Sequence, residues 1–467
     1  MTARNVLYNL PMRLGGCVAL VLLSSCVPSQ SSVFRPVDRD VRLRVGADVT
    51  WSGSPDAKTQ TAIRDLLGKP IDASSAVRIA LAQNRRLQAR YDGLGIAASQ
   101  IADATVLGAT SVDANYKFAS GGGRGGETEI TVVQDLLSLL QIGQRRGAAN
   151  AMLGAAQARA VEATVELVAD VEIAFHDSVA AMQDLELVTH AFEAADAAAT
   201  LVERQHAAGN TSDLELVREQ EQRERLRVEV KRATQRAEER HARLGGLLGL
   251  TAAQPAWTTV ATLPALPAAA PALDRLDHDV LARNLESSAL RLDARAAQSR
   301  HRFAVVRAFL PEIGAGVAAA RRDGGGWEIG PAVRLGIPLF DQQQGPRARA
   351  RAEEQRARSE LAATETELRA GVLEAGSRLA RAFEEAHQLA DVVVPLRKRV
   401  LAETVLQYNA MNANTFELLM AKRDMIEIGR QSIDATRRYW NAASEVTALQ
   451  RGGHVSTRAE PEGEPTP

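Results

Sequence analysis

An apolar seam that persists from Leu368 to Val400 constrains this chain more than any other feature. From Leu368, apolar or small residues recur at Val372, Ala375, Leu379, Ala382, Ala386, Leu389, Val393, Leu396 and Val400, in steps that alternate between four and three. That is the heptad spacing with which two helices pack side by side. A less regular stripe runs through Val161, Val165, Val168, Val171, Phe175, Val179, Met182, Leu185, Val188 and Phe192. Each stripe belongs to a helix of about sixty residues, or roughly 90 Å at 1.5 Å per residue. No globular core buries a stripe that long. It needs helices of equal length, from elsewhere in the chain or from sister subunits. Pro395 interrupts the second helix and predicts a kink, because it removes one backbone bond and clashes with the preceding turn. Composition agrees: aromatic residues are only 4% of the 467 while charged ones are 24%, a balance that suits coiled-coil packing.

The chain is built from two copies of one unit. Leu81-Ala-Gln-Asn84 recurs as Leu281-Ala-Arg-Asn284, and Gly209-Asn-Thr-Ser-Asp-Leu-Glu-Leu216 has an echo in Asn412-Ala-Asn-Thr-Phe-Glu-Leu-Leu419. The offsets are 200 and 203 residues, with the same order of elements between. Each copy reads as helix, strand, glycine loop, strand, very long helix, tight turn, helix. The copies span 72–253 and 274–451, joined by a proline- and alanine-rich linker over 254–273. A polar tail over 452–467 carries three prolines and reads as disordered. At the first turn, Gly209 fits a left-handed residue after the long helix, and Ser212 with Glu215 fits a capping box. At the second, Asn414 or Thr415 with Glu417 plays the same part.

The strands alternate. Val112, Ala114, Tyr116 and Phe118 share one face of the first, and Ile130 and Val132 continue the pattern beyond the loop Gly121-Gly-Gly-Arg-Gly-Gly126. In the second copy Ile313, Ala315, Val317 and Ala319 precede the loop Gly324-Gly-Gly326. After it, Trp327, Ile329, Pro331, Val333, Leu335 and Ile337 are all apolar, while the even positions between them are smaller or polar. Strands of about ten residues suffice to cross a bilayer when tilted, so Trp327, Ile329, Val333, Leu335 and Ile337 are candidate lipid-facing residues. A soluble sheet with one wet face alternates in the same way. Four strands leave two unpaired edges, which lipid does not tolerate. Two chains would close eight strands and three would close twelve, and a lumen wide enough for solutes favours twelve.

Catalytic and metal-binding spacings are missing from the sequence. Its eight histidines are scattered, with no His-x-x-x-His pair and no carboxylate cluster at ligand spacing. His176 and His190 fall on the long helix as solvated or wall positions. The glycine runs do not precede helices, as phosphate-binding loops must. A formal net charge of −1 points to no nucleic-acid partner. No cofactor and no enzymatic activity are expected. Asp213 and Glu417 stand beside the two turns, where a threefold assembly would gather rings of carboxylates. They are candidate aperture residues, although acids also simply favour helix N-termini.

The N-terminus sets the compartment. Arg4 and Arg13 precede the short apolar run 18–23, and Leu23-Ser-Ser-Cys26 resembles a bacterial lipobox. The resemblance implies a signal peptide over 1–25, acylation of Cys26, and a lipidated N-terminal segment over 26–71. Cys17 lies within the removed segment, so no disulfide remains possible in the mature chain. Val27 follows the cysteine, not the aspartate that tends to hold lipoproteins in the inner membrane.

Beyond the anchor, Leu81-Ala-x-Asn84 with its echo, Phe309-Leu-Pro311 leading into a strand, Gly336-Ile-Pro-Leu-Phe-Asp341 and Thr415-Phe-Glu-Leu-Leu-Met-Ala-Lys422 resemble the TolC-like outer-membrane efflux proteins, over about 72–451. The resemblance implies a mainly α fold with a β-barrel part: a long helical coiled-coil barrel in the periplasm and four transmembrane strands per chain, closing a twelve-stranded barrel in a homotrimer. It implies an exit duct in the outer membrane, served by a periplasmic adaptor and an inner-membrane pump, of resistance-nodulation-division type, with outer-membrane lipid around it. The competing reading is a periplasmic coiled-coil adaptor, which would carry one helical hairpin rather than two. The first copy departs from the pattern by lacking the proline before its strand. It also carries Val133-Gln-Asp-Leu-Leu-Ser-Leu-Leu140 where Pro-Leu-Phe is usual, and Asn412 stands where the second turn usually has glycine. Cys26→Ser is expected to abolish acylation and signal-peptide removal. Labelling cells with a fatty-acid analogue checks this, and equal label on wild type and variant would refute the lipobox.

Overall fold

The computed structural model describes residues 28–53, 56–106, 108, 110–118, 126–251, 256–310, 312–322, 325–336, 338, 340 and 342–454. Cys26 and Ile337 therefore lie outside the described residues, as do the loop 119–125 and the tail beyond 454. Short helices α1 (Gln30–Val45) and α2 (Ala57–Leu67) come first. Then follow α3 (Ala73–Gln83), α4 (Arg85–Thr105), β1 (Thr110–Phe118), β2 (Gly126–Asp135), α5 (Leu136–Leu140), α6 (Ile142–Ala207) and α7 (Asp213–Leu247). The order then recurs as α8 (Leu276–Arg283), α9 (Leu285–Phe309), β3 (Glu312–Arg322), β4 (Trp327–Gly336), α10 (Gln344–His387), a π-helical turn (Gln388–Val393), α11 (Val394–Asn409) and α12 (Thr415–Gln450). Among the described residues, no helix is long and apolar enough to cross a membrane.

Compactness cuts across the two copies. One unit takes the described residues of 1–34 with 93–157 and 289–361; the other takes 35–92, 158–288 and the described residues of 362–467. The first unit thus holds the strands of both copies, and the second holds most of the helical residues of both.

In the strand unit the four strands form one antiparallel sheet in the order β1-β2-β3-β4. Val112, Val132, Val317 and Pro331 stand in one row across it. Pro331 has no backbone donor for the ladder, and it stands in the strand that ends the sheet within one chain. Strands β2 and β3 approach closely: a Cβ on Gly316 would lie 1.8 Å from the carbonyl oxygen of Val132. The passage 133–140, helical in its sequence character, divides at Asp135. Strand β2 ends there, and the Asp135 carboxylate caps α5 by accepting from the amides of Leu137 and Ser138.

In the helical unit the stripe on α6 is buried from Val161 through Val179, as its spacing predicts, whereas Met182 is 45% exposed. The heptad seam is buried over its first half. Leu368, Val372, Ala375, Leu379 and Ala386 pack with Ala435, Tyr439, Ala442, Val446 and Leu449 of α12. Further along, the seam is not covered within one chain: Leu396 and Val400 are 53% and 46% exposed. A π-helical turn stands just before Pro395, where the sequence predicts a kink. A π turn holds an extra residue, so the phase of the helix shifts by about 100° and later seam positions leave the buried face.

Two acids on α6, one heptad apart, clamp both neighbours. Asp177 accepts from Arg240 of α7 at 2.9 Å and from Arg437 of α12 at 3.0 Å, with Asn441 adding a third bond at 2.9 Å. Asp184 accepts from Arg236 of α7 at 3.0 Å and from Arg430 of α12 at 2.7 Å. His176, next to the first clamp and read from sequence as a solvated or wall position, is buried against Phe175 and Trp440, and burial pushes its pKa down to about 4.

The duplicated Leu-Ala-x-Asn motif closes each copy on itself. Asn84 Oδ1 accepts the amide of Leu87 at 3.0 Å while its Nδ2 donates to the carbonyl of Leu247, at the end of α7, at 2.8 Å. Asn284 accepts from Ser287 at 2.7 Å and donates to the carbonyl of Gly453, just past α12, at 3.0 Å. One buried asparagine therefore caps the second helix of its copy and satisfies an orphan carbonyl at the end of the last. Gly452 and Gly453, which fall in the stretch expected to be a disordered tail, are consequently buried.

Because Asp177 is buried and accepts from Arg240, Arg437 and Asn441, Asp177→Asn is expected to lower stability to heat or urea by about 3 kcal/mol. Asp196 on the same helix is a control, since its contact with Arg223 is 3.9 Å long and half-exposed. Asp196→Asn is expected to change stability by less than about 0.5 kcal/mol. Equal effects would show that the clamp contributes nothing beyond surface pairing.

Candidate membrane face and tip groove

In the strand unit, register sorts the side chains into two chemically distinct faces. One carries Val112, Ala114, Tyr116 and Phe118 of β1, then Ile130 and Val132 of β2, then Ile313, Ala315, Val317 and Ala319 of β3. It is completed by Trp327, Ile329, Pro331, Val333 and Leu335 of β4. Most of it is uncovered: Ile329 is 74% and Val333 80% exposed. In a soluble sheet this is the face a core would bury. The opposite face carries Ser111, Asp113, Asn115 and Lys117, Glu127, Glu129 and Thr131, and the small residues Gly314, Gly316, Ala318 and Gly330. Small side chains there let the sheet curl, so that Arg334 on one edge strand reaches Asp113 on the other at 2.6 Å, with Ser111 at 3.1 Å. Arg334 also bonds Glu312 at 3.4 Å, so it is tied into the polar face rather than hanging free. Trp327, Ile329, Val333 and Leu335 thus share one face, as the alternation predicts.

In the helical unit, the two turns are built alike. After α6, Gly209 takes φ +75°, and the amide of Asn210 donates to the carbonyl of Gln205 at 2.9 Å. After α11, Met411 takes φ +60°, and the amide of Asn412 donates to Gln407 at 2.9 Å. The structural offset at the turns is therefore 202, one less than the sequence echo suggests, and Met411 rather than Asn412 occupies the glycine position. Matching letters misled the alignment, because the turn is set by dihedral angles and Met411 accepts a left-handed one at some cost.

The caps differ. Asn414 accepts from the amide of Glu417 at 2.9 Å, and the Glu417 carboxylate accepts from the amide of Asn414 at 3.1 Å, a complete capping box. At the first turn Ser212 accepts from the amide of Glu215 at 3.3 Å, but the Glu215 carboxylate takes the hydroxyl of Thr211 at 2.8 Å instead. Asp213 is 92% exposed at its side chain and pairs with His206 Nε2 at 3.2 Å. Of the two aperture candidates, Glu417 is thus engaged in its own helix start, while Asp213 points to solvent beside a histidine.

Between the two turns lies a groove of about 800 Å³ lined by Leu187, Ala191, Leu214, Leu401, Phe416 and Met420, with Arg218, Glu219, Lys422 and Arg423 among its polar groups. Glu219 is buried there, and burial together with the Glu215 charge raises its pKa. Neither the groove nor Glu219 is legible in the sequence. Glu219 sits in an Arg- and Glu-rich helix that reads as a solvated face, yet it is buried in the folded chain.

This architecture recurs in solved structures. A membrane protein from Pseudomonas aeruginosa is 19% identical, with a TM-score of 0.63 over 87% of this chain and 96% of that one. The Campylobacter jejuni CmeC outer membrane channel is 14% identical, with a TM-score of 0.63 over 82% and 86%. The Neisseria gonorrhoeae MtrE outer membrane channel, in its open state, is 18% identical, with a TM-score of 0.59 over 83% and 91%. Neither a protein-family model nor a curated relative matches the sequence. The chain has the mainly α, TolC-like outer-membrane channel fold.

The geometry of the turns separates the two acids energetically. Glu417→Ala is expected to cost about 1 kcal/mol by opening the capping box, whereas Asp213→Ala is expected to change stability by less than about 0.5 kcal/mol. Urea titration of the two variants measures the difference, and equal costs would show that Asp213 is also a structural cap.

Proposed function

We propose that this chain is the outer-membrane exit duct of a tripartite efflux or export system, and that it carries out no chemical reaction. The observation that carries the reading is the uncovered apolar face running across all four strands, backed by a polar face of small and charged residues. Such a sheet suits lipid on one side and water on the other. Both of its edges, β1 and β4, lack strand partners among the described residues, and lipid leaves no unpaired edge. Three chains joined edge to edge close a twelve-stranded barrel with no edge left. Similarity in fold to outer-membrane channels of other bacteria supports the same assignment.

On this reading Trp327, Ile329, Val333, Leu335 and Ile337 face lipid, and the helical unit extends into the periplasm. The exposed seam positions Leu396 and Val400 lie against a sister chain. Acylated Cys26 anchors each chain beside its barrel, which makes residues 1–25 a signal peptide and 26–71 a lipidated segment. The periplasmic adaptor docks on the helical unit, and an inner-membrane pump of resistance-nodulation-division type supplies the cargo. Asp213 lines the closed end, with Glu417 beside it. An adaptor reading accounts for one helical hairpin, not for two strand hairpins and two helical hairpins in repeated order across 72–253 and 274–451.

Val333→Arg is expected to weaken barrel assembly by about 2–4 kcal/mol if the residue lies near the bilayer midplane. Gly330→Arg on the opposite face enters open space and is expected to assemble normally. Detergent-resistant trimer in outer-membrane fractions is the measurement. Equal assembly of the two variants would overturn the assigned facing, and absence of trimer in the wild type would favour the adaptor.

A further inference from the structure

Away from the sheet and the turns, the fold brings together a group of ligating side chains that spacing along the sequence does not reveal. Glu162 and Glu166 lie one turn apart on α6, and His454 stands four residues past the end of α12. One ligand atom from each lies within 4.8 Å of the other two. The Nδ1 of His454 is hydrogen-bonded to Glu166, so it is this nitrogen that faces the carboxylates. Glu286, at the start of α9, and Arg159, one turn before Glu162, add their fields to the group.

Glu162 is the informative member. Its side chain is only 9% exposed, yet it accepts no hydrogen bond among the described residues. A carboxylate set this deep among other carboxylates is costly to keep charged. Burial, followed by the charges of Glu166 and Glu286, pushes its pKa up to about 7. The group is short of positive charge, with three carboxylates set against one imidazole and one arginine.

We propose that Glu162, Glu166 and His454 bind a divalent transition-metal ion of the zinc type, which pins the end of the second copy to α6. Two carboxylate oxygens and one imidazole nitrogen form an established donor set for such an ion, with the remaining position left to water. Ligands of a tetrahedral zinc lie about 3.3 Å apart, so the three atoms need only small side-chain adjustments to surround it. An imidazole in the set disfavours calcium and magnesium, which take oxygen ligands. The ion would sit one residue beyond the carbonyl of Gly453 that Asn284 holds, and would reinforce that closure from the α6 side. It would also offset the surplus of negative charge around Glu162.

Full-length protein in detergent, stripped with chelator and titrated with zinc chloride by calorimetry, tests the site. Wild type is expected to bind one ion per chain that His454→Gln and Glu162→Gln each bind at least tenfold more weakly. His454 lies outside every helix with its side chain 46% exposed, so its replacement leaves the packed helices intact. As a second readout, zinc is expected to slow carboxypeptidase trimming of the C-terminus in wild type and not in His454→Gln. The proposal is overturned if wild type and His454→Gln bind zinc with equal affinity and stoichiometry, or if zinc leaves trimming of the wild type unchanged.

Discussion

A 66-residue helix cannot stand in water with an apolar stripe along it, and much of the helical unit answers that constraint. Burial of Val161, Val165, Val168, Val171, Phe175 and Val179 contributes on the order of 1.5–3 kcal/mol for each large side chain. Covering the stripe demands partners that stay alongside α6 in register. Hydrophobic contact alone does not specify register, since neighbouring alanine-rich turns are nearly interchangeable. The acid clamps do. Asp177 and Asp184 each hold one arginine of α7 and one of α12, so a shift by one turn would leave buried charges unpaired.

Duplication explains how one chain supplies such partners. Each copy contributes one long helix and one returning helix, and each closes its ends through a buried asparagine. Asn84 and Asn284 make the same pair of bonds, one to start a helix and one to retain the end of another. The two copies have since diverged where geometry allowed. The first turn keeps glycine at its left-handed residue, and the second places Met411 there with a full capping box behind it.

The same economy shapes the strand unit. Alternation alone gives two faces, and which face meets which solvent is decided by what else can cover them. The face bearing Ile329 and Val333 is largely exposed, while the opposite face curls around glycine and alanine until Arg334 meets Asp113. An uncovered apolar sheet with open edges is unstable as a monomer in water, and the proposed exit duct resolves this with lipid on that face and further copies at the edges.

Much of this was legible in the sequence, for identifiable reasons. Period-two and heptad patterns report burial directly, so the four strands, the long helices and the shared face of Trp327, Ile329, Val333 and Leu335 followed from residue type and spacing. So did the left-handed Gly209, because few other residues tolerate that conformation. What the tertiary structure alone decided depends on phase and on distance between remote segments. The π turn before Pro395 moved Leu396 and Val400 off the buried face, a rotation that no residue count discloses. His176 reads like any histidine on a mixed helix until Trp440, far along the chain, covers it. Glu162 and Glu166 look like ordinary acids on a solvated face. They become a site only because the end of α12 brings His454 to them across 288 residues of sequence. Local patterns record what a segment buries. They do not record which distant segment buries it, and the chemistry of this protein's interior lies in that second fact.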